Sequence, residues 1–275
     1  ADQARISPLD RGFLFADGVY EVIPAFNGVL FRLDEHLGRL ARSLAELRIA
    51  APHDGPGWRR LCEEMVARNG GGHQSLYLQI TRGAAPRREH AFPNPPVPPT
   101  VFLYSSPLAV PAADQVARTE GIAAITLDDL RWARCDIKSI SLLPNLLLRQ
   151  RAVETGAQEA ILLRDGFVTE GAASNVFVVR DGRVCTPPLS HCILGGITRD
   201  LIIELCREKG LPVIEAEISE PALHDADEIW ISSSTKDVVP VTTLNGRPVG
   251  DGRPGDTWKT LARHYIEFKR RLCGL

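Results

Sequence analysis

Three dipeptides, Asn27-Gly28, Asp165-Gly166 and Asp181-Gly182, each interrupt a run of strand-forming residues. "VYEVIPAFNGVLFRL" alternates apolar and polar side chains around the first, and "EAILLRDGFVTEG" and "SNVFVVRDGRVCTPP" read as strand, turn, strand around the other two. Asn-Gly and Asp-Gly accept the positive φ angles of a two-residue hairpin, so the flanking strands are expected to run antiparallel. Hairpins in both halves are incompatible with the regular strand-helix alternation of a doubly wound sheet. The expected class is α+β.

Helical segments lie between the strands. "LDEHLGRLARSLAELRI" repeats leucines at 37, 40, 44 and 47 with Asp34 as its expected N-cap, and "GWRRLCEEMVARNG" closes on glycines. "QSLYLQITRG" and "TVFLYSSPL" read as strands separated by the Pro-rich "GAAPRREHAFPNPPVPP", too long for a turn and of the kind that often carries function. The second half opens on the strand "GIAAITLDD", and "LLPNLLLRQRAVETGAQ", "TRDLIIELCREKG" and a segment from about Trp258 read as helices. "PVIEAEI" and "DEIWISSSTKDVVPVTTLNGRPV" supply further strands. "SPLAVPAAD" resembles a linker, giving a smaller domain over 1–107, a linker over 108–113 and a larger domain over 114–275.

At 275 residues with 44% hydrophobic content, the chain can bury a substantial core. A formal charge of -2, with Arg mixed among Asp and Glu, offers no basic field for nucleic acid. No run of 18 apolar residues is long enough for a bilayer, and the first residues lack a secretory pattern, so a cytoplasmic location is expected. The six cysteines include no CxxC pair and read as reduced, mostly buried thiols. The seven histidines include no HExxH and no close ligand pair, so no metal is expected.

Of 27 arginines and five lysines, Lys138 alone sits among small and apolar residues, in "RCDIKSISLLPN". A partly desolvated lysine loses its proton more readily, and the neutral amine can form a Schiff base with a carbonyl; a lysine at a strand end can equally be a surface residue. Glu170, in "VTEGAASNVF", stands between an apolar strand and small residues that let a ligand approach the backbone. Such a carboxylate needs a cation, which a protonated pyridine nitrogen would supply, though a turn glutamate is the plainer reading. "GGITRD" runs from glycines into a helix N-terminus at Ile197 and Thr198, where N–H groups suit a phosphate. "SSSTK", Ser232–Lys236, offers hydroxyls at a strand end, and His36 and Arg39 stand one turn apart on a helix. Singly, each of these matches ordinary caps, turns and solvated helix faces.

Together, "DRGFLFADGVYEV", "HLGRL", "DIKS", "TEGAASNVF", "GGITRD" and "SSSTKDVVPV" resemble, in order and spacing, the fold type IV pyridoxal-phosphate enzymes, and most closely the D-amino acid aminotransferases. The resemblance spans essentially the whole chain, whose first residues would fall after the family's opening strand. It implies two domains with the cofactor at their interface, and Lys138 of the larger domain carrying pyridoxal 5'-phosphate as an internal aldimine and moving the α-proton. It further implies that Glu170 holds the pyridine nitrogen protonated, that Leu194 packs on the ring, and that Arg39, Ile197, Thr198, Ser233 and Ser234 bind the phosphate. Tyr20, Arg88 and His90 would trap the substrate carboxylate. The loop "APRREHAFP" is one residue longer than the family's usual form, so Arg87 could replace Arg88. By the same pattern the loop would enter a second subunit's site, implying a homodimer.

The implied reaction is transamination between D-amino acids such as D-alanine or D-glutamate and 2-oxoglutarate or pyruvate. A branched-chain L-amino acid or (R)-amine transaminase of the same fold lacks a carboxylate trap of this kind. Aminodeoxychorismate lyase would release pyruvate without a keto acid acceptor. A cofactor-binding protein without turnover would have no need of both Lys138 and Glu170.

Overall fold

The computed structural model describes residues 4–110 and 119–275, so 111–113 of the expected linker lie outside the described residues. Two compact units are present. The first comprises Ala1–Val110, Ile137–Leu142 and Cys273–Leu275, and the second Pro111–Asp136 and Leu143–Leu272.

In the first unit, α1 (Arg11–Phe15) precedes β1 (Gly18–Phe26) and β2 (Val29–Leu30). Asn27 and Gly28 take φ of 53° and 80°, the left-handed turn that the dipeptide implies. Helices α2 (Leu33–Glu46) and α3 (Gly55–Arg68) follow, then β3 (Gln74–Thr81) and β4 (Thr100–Pro107), completing a sheet ordered β2-β1-β3-β4. Val19, Ile23, Leu76, Leu78 and Ile80 on one face pack with Leu40 and Leu44 of α2 and with Trp58 and Cys62 of α3. The other parity carries Tyr20, Tyr77 and Tyr104, whose rings stack in sequence at 5.6 and 5.3 Å. Asp34 is not the N-cap of α2. Arg32, at φ 55°, ends the turn and begins the helix, which leaves Asp34 in the first turn, where its charge favours the helix dipole and pairs with Arg59.

Lys138, expected in the larger domain, belongs by its contacts to the first unit. β2 pairs with β1 only at Ala25 and Phe26, which leaves the start of β1 as an open edge. Ile137–Leu142 fills it: Tyr20 N donates to Lys138 O (3.0 Å), Ile140 N donates to Gly18 O (3.1 Å), and Val19 bridges Ser139.

The second unit is built on a nine-stranded sheet. Its elements are β5 (Ile122–Asp128), α4 (Leu143–Glu154), β6 (Glu159–Arg164), β7 (Phe167–Gly171), β8 (Asn175–Arg180), β9 (Arg183–Thr186), α5 (Ile197–Glu208), β10 (Val213–Glu215) and α6 (Glu220–His224). β11 (Glu228–Ser233), β12 (Asp237–Leu244), β13 (Arg247–Pro248) and α7 (Asp256–Cys273) complete it. The order is β10-β9-β8-β11-β12-β5-β6-β7, with β13 on β12. Both Asp-Gly hairpins form, but β5 lies parallel to β12 and β6, so the sheet is mixed. The run from Asp227 to Val249 divides into three strands, the last turn made by Asn245-Gly246 at φ 50° and 75°. Ile161, Val176, Ile229, Ile231 and Val241 share one apolar cluster, while Leu148 and Ala152 of α4 cover Ala160 and Leu162. Among the described residues no helix is long and apolar enough to cross a membrane.

Candidate active site

In the first unit the half-buried Lys138 places Nζ 4.1 Å from the centroid of the Tyr20 ring, and its backbone N donates to Ser43 Oγ on α2 at 3.2 Å. An aromatic face beside an amine restricts where it can swing. Lys138 is not the most enclosed lysine. Lys269, in what reads as a polar C-terminal helix, is 5% exposed and donates to Asp237 at 2.7 Å, so its charge is neutralised within the second unit.

Below Lys138 lies an ionic cluster. β1 sends Val19, Ile23 and Ala25 into the apolar core, and Glu21 shares their parity. A carboxylate there must be paired. Arg39 donates from Nε and Nη2 to the two Glu21 oxygens at 2.8 and 2.7 Å, and His36 Nδ1 lies 2.8 Å from Oε2. Burial works against the Glu21 charge, but Arg39 and the hydrogen bonds prevail and hold its pKa far below the usual range. Burial pushes His36 below its ordinary value, favouring neutral imidazole. The face carrying His36 and Arg39 is therefore interior rather than solvated. Glu21 was not singled out from the sequence, although its apolar parity opposite two basic residues one turn apart was the available signal.

Arg88 and His90 lie together, both against the Phe15 ring at 4.8 and 5.4 Å. Arg11 donates to the carbonyls of Glu89 and His90. Tyr20 stacks instead on Tyr77.

In the second unit, Glu170 on β7 is buried. Its Oε2 accepts from Leu194 N at 3.1 Å and from Asn175 Nδ2 at 3.3 Å, and Oε1 pairs with Arg131 Nη1. Burial pushes the Glu170 pKa up to about 7, with Arg131 acting in the opposite direction. Asp129 grips Arg131 through Nε (2.9 Å) and Nη2 (2.8 Å), and Thr169 Oγ1 also donates to Asp129. Arg131 was not among the expected residues. The pair Asp129 and Arg131 in "DDLRW" gives only a local charge pattern, and the link to Glu170 depends on tertiary folding.

Ile197 and Thr198 open the twelve-residue α5 behind Gly196, which makes no side-chain cap bond, so the first N–H groups meet no capping side chain from that position and suit an anion. Ser232 on β11 is opposite Asn175 on β8, whose Nδ2 donates to Leu194 O at 2.8 Å. Ser232 Oγ is buried with no hydrogen-bond partner among the described residues. Of the expected hydroxyls, Ser233 ends β11 and Ser234 enters the turn, both partly exposed, so the buried orphan is their neighbour Ser232.

In the second unit an uncapped helix N-terminus and an unsatisfied hydroxyl suit the phosphate of pyridoxal phosphate and a buried carboxylate suits its basic ring nitrogen; in the first unit a lysine suits its aldehyde.

The model of the amino-transferase class IV family matches residues 18–244. The D-alanine aminotransferase of Bacillus licheniformis is 44% identical over 252 residues, covering 92% of this chain and 87% of that protein. The D-alanine aminotransferase of Listeria monocytogenes is 40% identical over 273 residues, covering 99% and 94%. Among solved structures, the branched-chain amino acid aminotransferase of Escherichia coli superposes with a TM-score of 0.89 at 28% identity, covering 97% of this chain and 90% of that one. A second branched-chain amino acid aminotransferase, from T.th. and complexed with N-(5'-phosphopyridoxyl)-L-glutamate, gives 0.87 at 28%, covering 99% and 90%.

Proposed function

Because the chain belongs to the class IV aminotransferases, we propose that it transfers the amino group of D-amino acids, such as D-alanine and D-glutamate, to 2-keto acids such as 2-oxoglutarate and pyruvate. The D-alanine aminotransferase relatives, aligned with nearly the whole chain, carry this reading. The enzyme uses pyridoxal phosphate, which when bound supplies a carbonyl to capture amines and a ring that accepts the electrons left at the α-carbon.

Lys138 would hold the cofactor by a covalent bond from Nζ and, once free, would move the substrate α-proton as general base and acid. Tyr20 restricts the arc of Nζ. Glu170 supplies the counter-charge to the ring nitrogen, and Arg131 favours its ionised form despite burial. The N–H groups of Ile197 and Thr198, with Arg39, Ser233 and Ser234, would bind the phosphate, and Leu194 would support the ring. Glu21 fixes the Arg39 fork. Arg88 and His90, with Tyr20, hold the substrate carboxylate and so decide which face of the α-carbon meets Lys138.

The working unit is a homodimer in which the Arg88–His90 loop serves the partner's site. Helix Leu143–Glu154 supports this, because Leu143, Leu146 and Leu147 are all well exposed on the single chain. The six free thiols support a reducing, cytoplasmic setting. With D-alanine and 2-oxoglutarate, the holoenzyme is expected to form pyruvate and glutamate. Turnover of L-leucine with no turnover of D-alanine would contradict the proposal and favour the branched-chain activity of the structural neighbours.

A further inference from the structure

Arg11 opens the five-residue helix Arg11–Phe15, and its side chain is almost wholly buried, yet it belongs to no apolar cluster of the first unit. Its guanidinium is spent on loop backbone. Nη1 donates to Glu89 O at 2.5 Å and to Ala91 O at 3.3 Å, while Nη2 donates to His90 O at 3.2 Å. Three successive carbonyls converge on one cation, and they are those of His90 and its two neighbours.

The fork is itself oriented. Asp17 accepts from Arg11 Nε at 2.8 Å and from Arg82 Nε and Nη2 at 2.7 and 2.9 Å. Arg82, whose Nη1 and Nη2 reach Arg48 O and Leu47 O, lies 3.5 Å from the Phe92 ring centroid, with Arg48 4.9 Å from the same centroid. The loop is thus pinned at the carbonyls of 89–91 and at the ring of Phe92, while the Arg88 and His90 side chains rest on Phe15, on the helix that Arg11 begins. A planar guanidinium with its donors in a fixed fork suits this task, which the point charge of lysine does not.

We propose that Arg11 is a positioning residue for substrate selection, its guanidinium setting the loop conformation in which Arg88 and His90 receive the substrate carboxylate. This rests on the carboxylate-trap reading given above. Asp17 and Arg82 act through Arg11 and Phe92, and none of the three touches substrate. The one-residue-longer loop is accommodated because the clamp fixes the backbone at Glu89–Ala91, whatever precedes it.

The test is steady-state kinetics of the holoenzyme with D-alanine in Arg11→Gln, Arg88→Ala and the double variant. Arg11→Gln should raise KM about tenfold with kcat little changed, the signature of a displaced binding group. In the Arg88→Ala background the same substitution should have little further effect, because the group it positions is gone. Phe92→Leu, which removes the ring staple and leaves Arg11 intact, should give a smaller KM rise and guards against a folding defect in Arg11→Gln. A normal KM in both Arg11→Gln and Phe92→Leu, with a raised KM in Arg88→Ala, would overturn the inference and leave the trap standing. Equal losses from Arg11→Gln with and without Arg88 would mark Arg11 as structural only. An unchanged KM in Arg88→Ala would remove the trap and the inference together.

Discussion

Lys138 is legible in sequence because a lysine between Ile137 and Ser139 contrasts with four others in polar surroundings. Borohydride reduction of the holoenzyme followed by peptide mapping should place the cofactor on Lys138, and Lys138→Ala should lower turnover about a thousandfold or more. Label on Lys209, Lys236, Lys259 or Lys269 would contradict the assignment. Glu170 permits a second test without cofactor. Its folded pKa stands at about 7 against an ordinary 4.5, so its stabilising contribution is full below about 4.5 and is lost as pH rises through 7. His36, depressed by burial, acts in the opposite direction. The difference in urea midpoint between wild type and Glu170→Gln cancels His36, and in the apoprotein it should move against the wild type between pH 5 and pH 8. A pH-independent difference would mean that Glu170 titrates normally.

At the scale of elements, the hairpins declared themselves because Asn-Gly and Asp-Gly encode local φ angles, and all three form as read. What escaped depends on partners distant in sequence. The segment around Lys138 reads as part of the larger domain, yet the unpaired start of β1 draws it into the first unit, an edge vacancy that no local pattern announces. The buried face of α2 is illegible for the same reason: taken singly, His36 and Arg39 match a solvated face until Glu21 is seen to arrive from β1 at 2.7–2.8 Å. Ser232 and Arg131 likewise gain meaning only once β8 and β7 are beside them. Replacing Glu21 with Ala removes the bidentate partner of a buried guanidinium and should cost about 3–5 kcal/mol of stability, read from urea unfolding. A loss below about 1 kcal/mol, typical of exposed pairs, would contradict the interior placement of the cluster.

For the whole molecule, the recurrence of six motifs in one order made the family readable, and the match over 18–244 agrees with it. Assembly is less legible, since exposed leucines on a helix do not name what covers them. Sedimentation should give a dimer, and Leu146→Glu with Leu147→Glu should shift it to monomer with loss of D-alanine turnover. A fully active monomer would contradict the shared-loop arrangement.

The central claim, a lysine-bound pyridoxal cofactor serving D-amino acids, is tested most directly by the absorption spectrum of the holoenzyme mixed with D-alanine or, separately, L-leucine, with no keto acid present. The account predicts that D-alanine converts the visible band of the lysine-bound cofactor to that of its amine form, with stoichiometric release of pyruvate, while L-leucine leaves the band unchanged. Conversion by L-leucine and not by D-alanine would contradict it.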